Sequence, residues 1–159
     1  MIGAILTIRP YRSSDLDAVI EIFTRAIREV ACKDYNPAQI DAWSQVDREE
    51  WAPHRLSRPA WIAEIGELPA GFTDLEPNGH LDMMFVHPYF QGQGVATALL
   101  VRVETAARAL GLAGIFTEAS ITARPFFERR GFRLIERQSV ERDGQSLVNF
   151  KMKKALPGR

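Results

Sequence analysis

At 159 residues the chain has room for one domain with a useful core and not for two of ordinary size. Twenty lysines and arginines balance twenty acids, so no overall field favours nucleic acid or an anionic membrane as partner. The one cysteine, Cys32, excludes an intramolecular disulfide and a cysteine-rich zinc site.

The opening run "MIGAILTIRP" has no basic leader, is interrupted at Thr7 and ends by Arg9. It is too short for a signal peptide or a membrane span, so a cytoplasmic setting is expected. Residues 4–9 read as a first strand. "SSD" at 13–15 supplies helix caps, and Leu16, Val19, Ile20, Phe23, Ile27 and Val30 then fall on one apolar face. "NPAQIDAWSQV" starts a second helix with Asn36 as cap and Pro37 in its first turn. "REEWAPHRL" gives a third, weakened by Pro53.

"AWIAEI" at 60–65, "AGFTDLE" at 70–76 and "HLDMMFVH" at 80–87 read as three strands of an antiparallel meander. A helix is expected from about Gly94 to Leu110, with Gly111 closing it. "GIFTEAS" at 114–120 reads as a buried strand. A short helix over "TARPFFERR" stops at Gly131, and a hairpin turns on Asp143-Gly144. The expected class is mixed α/β (α+β), with a central, mostly antiparallel twisted sheet flanked by helices.

"QGQGVA" at 91–96 places two glycines directly before a helix whose first acid is Glu104. A helix start offers bare N–H groups and a partial positive charge, and glycines let an anion approach closely. Three readings follow. One is an ordinary surface turn before a good helix. A second is a dinucleotide fingerprint, which fails at Thr97 and follows a meander instead of a βαβ start; a P-loop fails for want of Gly-Lys-Ser/Thr. The third is a pyrophosphate cradle of another type.

"QGQGVA" resembles the Q/R-x-x-G-x-G/A motif of the GCN5-related N-acetyltransferase (GNAT) superfamily. "ARPFFERRGF" at 123–132 resembles that family's second motif, A-x-x-F/L-Y-x-x-x-G-F, and its style is similar to the YafP-like bacterial branch. The two motifs lie about thirty residues apart, each in the expected element, and the order of elements agrees over nearly the whole chain. The resemblance implies one GNAT domain over 1–159 with splayed central strands.

The resemblance also implies an acetyl-CoA-dependent N-acetyltransferase in which an amine attacks the thioester directly in a ternary complex. The backbone of Gln91, Gly92, Gln93, Gly94, Val95, Ala96 and Thr97 is then expected to hold the pyrophosphate of coenzyme A. Met84, Phe85 and Val86 correspond to the strand end that pairs with pantetheine, with the Phe85 N–H polarising the thioester carbonyl. Ser120 stands where the family often has a cofactor-touching asparagine. Phe127 stands where it usually has a tyrosine whose hydroxyl protonates the leaving sulfur; Tyr35 and Tyr89 are the candidate replacements. One or two of Arg124, Arg129, Arg130 and Arg133 are candidates for the cofactor's 3′-phosphate.

Asp82 is the first candidate for the base that neutralises the amine and Glu118 the second; the alternatives are an exposed strand carboxylate and a salt-bridged one. Tyr35 and Trp43 are candidate substrate contacts, packing being the alternative. His54, His80 and His87 have no metal-ligand spacing, and no metal is expected. The expected partner is a small-molecule or peptide amine, with neither nucleic acid nor membrane; a homodimer stays open. Phe127 keeps a second reading alive, a coenzyme A-binding regulatory module with little or no catalysis. A third is an interaction domain with an unused cleft.

Overall fold

The stretch from His80 to His87 does not form the single strand that its composition suggests. In the computed structural model, which describes residues 4–157, it divides into β4 (His80–Leu81) and β5 (Met84–Val86), and these belong to different sheets. Residues 1–3 and 158–159, included in the single-domain expectation and partly in the reading of the opening run, lie outside the described residues.

One sheet has the order β1 (Leu6–Pro10), β2 (Ala60–Ile65), β3 (Leu68–Asp74), β5, all antiparallel. The other has the order β4, β6 (Gly114–Ser120), β8 (Gln145–Ala155), β7 (Arg133–Arg142). Only the short β4–β6 pair is parallel. The strands therefore splay at Asp82 and Met83, and the two sheets diverge from that point.

The helices are α1 (Leu16–Glu29), α2 (Pro37–Trp43), α3 (Arg48–Leu56), α4 (Val95–Ala109) and α5 (Arg124–Arg129). One expectation about their ends needs correction. "SSD" forms a short 3-10 turn, and the Asp15 carboxylate bonds the Arg12 N–H and the Arg9 guanidinium without capping α1. α3 covers "REEWAPHRL" as expected, with Pro53 inside it, and its start is fixed by the Asp47 carboxylate on the Glu49 N–H. In α1, Ile22 and Ala26 are buried with Val19, Phe23 and Ile27.

Alternation along β5 sends side chains to opposite faces of the first sheet. Phe85 packs with Phe72, Ile62 and the α1 residues Ile22 and Phe23, while Met84 and Val86 pack with Val95 and Leu99 of α4. Gly71 makes the second contact close. A Cβ there would lie 2.8 Å from Val95 Cγ1 and 2.9 Å from the Phe85 carbonyl, so α4 seats where no side chain projects from β3. On its other side α4 packs Leu100, Val103 and Ala107 against Ile115, Phe127 and Met152.

A strand break strands backbone polar groups, and those groups must find partners. At this break side chains supply them. One oxygen of Asp74 accepts the N–H of Asp82 at 2.9 Å and of Met83 at 3.0 Å. The Thr73 hydroxyl donates to the Met83 carbonyl and the Thr117 hydroxyl to the Leu81 carbonyl, each at 2.8 Å. The other Asp74 oxygen accepts from Arg55 at 3.0 Å; the carboxylate is fully buried and the arginine is 4% exposed. Burial pushes the Asp74 carboxyl up to about 6, against the pull of Arg55 and the two amides.

His80 fastens β4 at the edge of the break. Its ring nitrogens lie 2.7 Å from Glu76 and 2.8 Å from Glu118, and its ring stacks on Phe116. The hydrogen bond to Glu118, with that to Glu76, outweighs burial and holds the imidazolium up to about 9, well above the ordinary 6.5.

Two outcomes follow for stability. Asp74→Ala leaves a buried guanidinium and two amides without their acceptor and costs about 3–5 kcal/mol, read from the urea midpoint. The raised histidine gives a stabilisation that is complete below pH 6.5 and disappears as pH rises through about 9. Urea midpoints across that interval should fall in the native protein and flatten in His80→Gln.

Candidate functional site

The splay opens into a cleft of about 610 Å³ between β5, α4, β6 and α5. It is lined along one side by Met84, Phe85, Val86 and the turn into α4, and along the other by Thr117, Ala119, Ser120 and Phe127. A second hollow of about 300 Å³ adjoins it over Phe23, Tyr35 and the β7–β8 hairpin. Trp43, Asp82, Phe85, Glu118 and Ser120 line both, so the two spaces meet at the splay.

The turn is built as a bare backbone surface. Gly92 and Gly94 adopt φ of 75° and 81°, the left-handed region that glycine enters without strain. Nothing lies within 4 Å of where a Cβ would stand at either, so both face open space. Gly94 is the N-cap of α4 and provides no side-chain cap. The first helical N–H with a carbonyl partner from this turn is that of Ala98, on Gly94. Those of Val95, Ala96 and Thr97 precede it, and the first turn carries no acid. Glu104 is turned away to Lys154 at 2.9 Å.

Register fixes which amides of β5 face the cleft. The Asp74 N–H donates to the Met83 carbonyl and the His87 N–H to the Ala70 carbonyl. Phe85 lies opposite Phe72 in the same ladder, two residues from each bonded pair. Antiparallel alternation makes Phe72–Phe85 another bonded pair, with both backbone groups of Phe85 directed at β3. The expectation that the Phe85 N–H polarises a ligand in the cleft is therefore corrected. The free edge of β5 consists of the N–H and C=O of Met84 and Val86, and the Val86 carbonyl already accepts the Gln91 side chain at 3.0 Å.

Of the candidates for cofactor contact, Met84, Phe85, Val86, Gln91, Gly92, Gly94, Val95, Ala96, Thr97, Ser120 and Phe127 line the large cleft, and Gln93 does not. The Ser120 hydroxyl accepts the Ala123 N–H at 3.0 Å and helps set the start of α5. Among the arginines only Arg129 lines the cleft. Arg130 donates to the Thr97 hydroxyl, and Arg124 pairs with Glu128 over the Phe150 ring. Lys33, which composition did not single out, lies at the same rim.

Asp82 and Glu118 both line the two spaces where they meet, each with a cationic partner. One Asp82 oxygen takes Arg58 at 3.3 Å and Arg55 at 3.4 Å; one Glu118 oxygen takes His80. Tyr35 is buried, and its hydroxyl donates to the Val148 carbonyl at 2.7 Å while accepting the Ile121 N–H at 2.9 Å. It ties α2's approach to the ends of β6 and β8 and shows the hollow only its ring. Tyr89 is 79% exposed and lines neither space, so neither tyrosine presents a hydroxyl beside Phe127. Trp43 packs edge-on to Tyr35 and remains in the wall of both spaces.

Among the described residues no cluster of three or more histidine, cysteine, aspartate or glutamate side chains could hold a metal ion. Among them, too, no helix is long and apolar enough to cross a membrane.

The chain is similar to known proteins. The family model described as an acetyltransferase (GNAT) domain matches residues 31–154. An uncharacterized N-acetyltransferase of Escherichia coli (strain K12), YafP, is 37% identical over 148 residues, covering 93% of this chain and 95% of that protein. The crystal structure of a GCN5-related N-acetyltransferase from Rhodopseudomonas palustris superposes with a TM-score of 0.93 at 32% identity, over 98% of this chain and 99% of that one. PaiA N-acetyltransferase from Thermoplasma acidophilum, solved with coenzyme A, shares the fold at a TM-score of 0.79 and 17% identity, over 96% and 99% of the two chains. The glycine turn, the splay and these matches agree: the chain belongs to the GCN5-related N-acetyltransferase superfamily, in its YafP-like branch.

Proposed function

We propose that the protein transfers an acetyl group from acetyl-CoA to a primary amine held in the smaller hollow. The observation that carries this reading is that two sets of unpartnered amides line one cleft, those of Met84 and Val86 on the free edge of β5 and those of Val95, Ala96 and Thr97 in the first turn of α4. A pyrophosphate suits the N–H groups of Val95, Ala96 and Thr97, where the first turn has no acid and the preceding Gly92 and Gly94 have no side chain. Lys33 and Arg129 supply positive charge at the same rim. An extended amide chain suits the outward groups of Met84 and Val86 by strand addition.

Acetyl-CoA supplies the activated acetyl thioester. The Met84 N–H, the free β5 amide nearest the break, is placed to stabilise charge on the acetyl oxygen. The attacking amine must first lose its proton. Asp82 accepts it, directly or through water, with its second carboxylate oxygen; Arg55 and Arg58 hold the first and fix the orientation. Glu118 is second in this role, with one oxygen already held by the His80 ring. Phe127 gives the sulfur an apolar wall and no acid. A thiol is a good enough leaving group for this, since general acid help is worth about 10²–10⁴-fold and not the whole reaction.

Phe127 also favours one other reading, a coenzyme A-binding module that does not turn over. Thiol release from acetyl-CoA over a panel of primary amines separates the two. The transferase reading requires release that depends on the amine and falls at least about 100-fold in Asp82→Asn, with coenzyme A affinity kept. Binding with no release on any amine supports the module instead. Gly94→Asp places a carboxylate in the phosphate path and should weaken coenzyme A binding about 100-fold by calorimetry, with the circular dichroism spectrum unchanged; unaltered affinity would remove phosphate from this turn.

A further inference from the structure

The charges around the smaller hollow do not cancel. Its inner acids, Asp82 and Glu118, share Arg55, Arg58 and the His80 imidazolium with Asp74 and Glu76, so four acids stand against three cations at that end. Lys151, opposite Glu118 in the β6–β8 ladder, is matched by Glu136 at 3.3 Å. Arg142, the last residue of β7, lines the same hollow, and among the described residues its side chain has neither ion pair nor hydrogen bond. Between these two ends the walls are the rings of Phe23, Tyr35, Trp43 and Phe85.

Resting on the transferase reading above, we infer that the acceptor is a small amphoteric molecule. Its primary amine lies at Asp82 and Glu118, an apolar body lies against the aromatic walls, and an acidic group, carboxylate or phosphonate, reaches Arg142. Two features distinguish this from a polyamine. A second ammonium would meet an unmatched guanidinium at the hairpin end. The free oxygens of Asp82 and Glu118 suffice for one ammonium at the splay. A guanidinium pairs a carboxylate or phosphonate through two parallel hydrogen bonds, so it selects both the charge and the plane of the group. The transfer balances: the ammonium loses one proton through Asp82 to water, the neutral nitrogen bonds the acetyl carbon, the carbon–sulfur bond breaks with its electron pair on the coenzyme A thiolate, and the second N–H proton leaves by the same carboxylate while the thiolate is protonated from solvent.

The test compares matched pairs of amines in the thiol-release assay. Para-aminomethylbenzoate is paired with para-aminomethylbenzamide, and γ-aminobutyrate and ε-aminocaproate with their neutral amides. Aminoalkylphosphonates distinguish the two kinds of acidic group, and putrescine stands for the polyamines. The inference requires kcat/KM about tenfold or more higher for an anionic amine than for its amide, with putrescine poorer than both. Arg142→Gln should erase that preference by raising KM for the anionic amine, while kcat/KM for the amides stays the same. Equal use of anionic and neutral amines, or preference for putrescine, overturns the inference and leaves the transferase reading standing. No release on any amine overturns both.

Discussion

The structure depends on a buried carboxylate at a broken strand. A continuous strand from His80 to His87 would bond its neighbours on both sides and leave no gap in the sheet. Here β4 and β5 part, and two amides that a sheet would have satisfied are taken by Asp74. Arg55 balances the charge, and Arg58 and Asp82 extend the pair into a small network that reaches the cleft. Such a network is costly to bury and costly to break. Its use here is geometric: it keeps two sheets apart at one residue step, and so leaves the outer edge of β5 unpaired.

The unpaired edge and the glycine turn work as one surface. Register turns Met84 and Val86 outward, Gly71 lets α4 settle against β5, and Gly92 and Gly94 bring the chain into α4 with its first amides bare. An elongated ligand can therefore be held almost wholly by backbone, which is tolerant of sequence change. The side chains are left to decide what meets the ligand's far end. Asp82 belongs to both regions, since its amide is held in the brace and its side chain lines the cleft.

Local features were legible in the sequence. "QGQGVA" announces a bare turn because glycine, the missing acid and the following helix are neighbours in the chain. "GIFTEAS" and the Asp143-Gly144 hairpin are found where turn chemistry and alternation put them. Features set by distant pairing were not legible. "HLDMMFVH" alternates well enough for one strand, and nothing within it marks the break; the cause is Asp74, an acid that looks like any strand end until Arg55 is folded against it. The direction of the Phe85 amide is decided by its ladder with Phe72, one residue from the opposite answer. Tyr35 reads as a loop-end aromatic, yet both sides of its hydroxyl are used by backbone more than eighty residues away. The signal for Asp74 was an acid closing an otherwise uncharged strand, and it gains meaning only with a candidate arginine.

Hydrogen exchange resolved amide by amide, with and without coenzyme A, addresses the central claim most directly. The account predicts slow exchange of the Asp82 and Met83 amides in both conditions, because Asp74 holds them. It predicts that the amides of Met84, Val86 and Val95–Thr97 exchange fast in the free protein and slow down together when coenzyme A is added. Fast exchange at Asp82 and Met83, or no change at Val95–Thr97 under saturating coenzyme A, would contradict it.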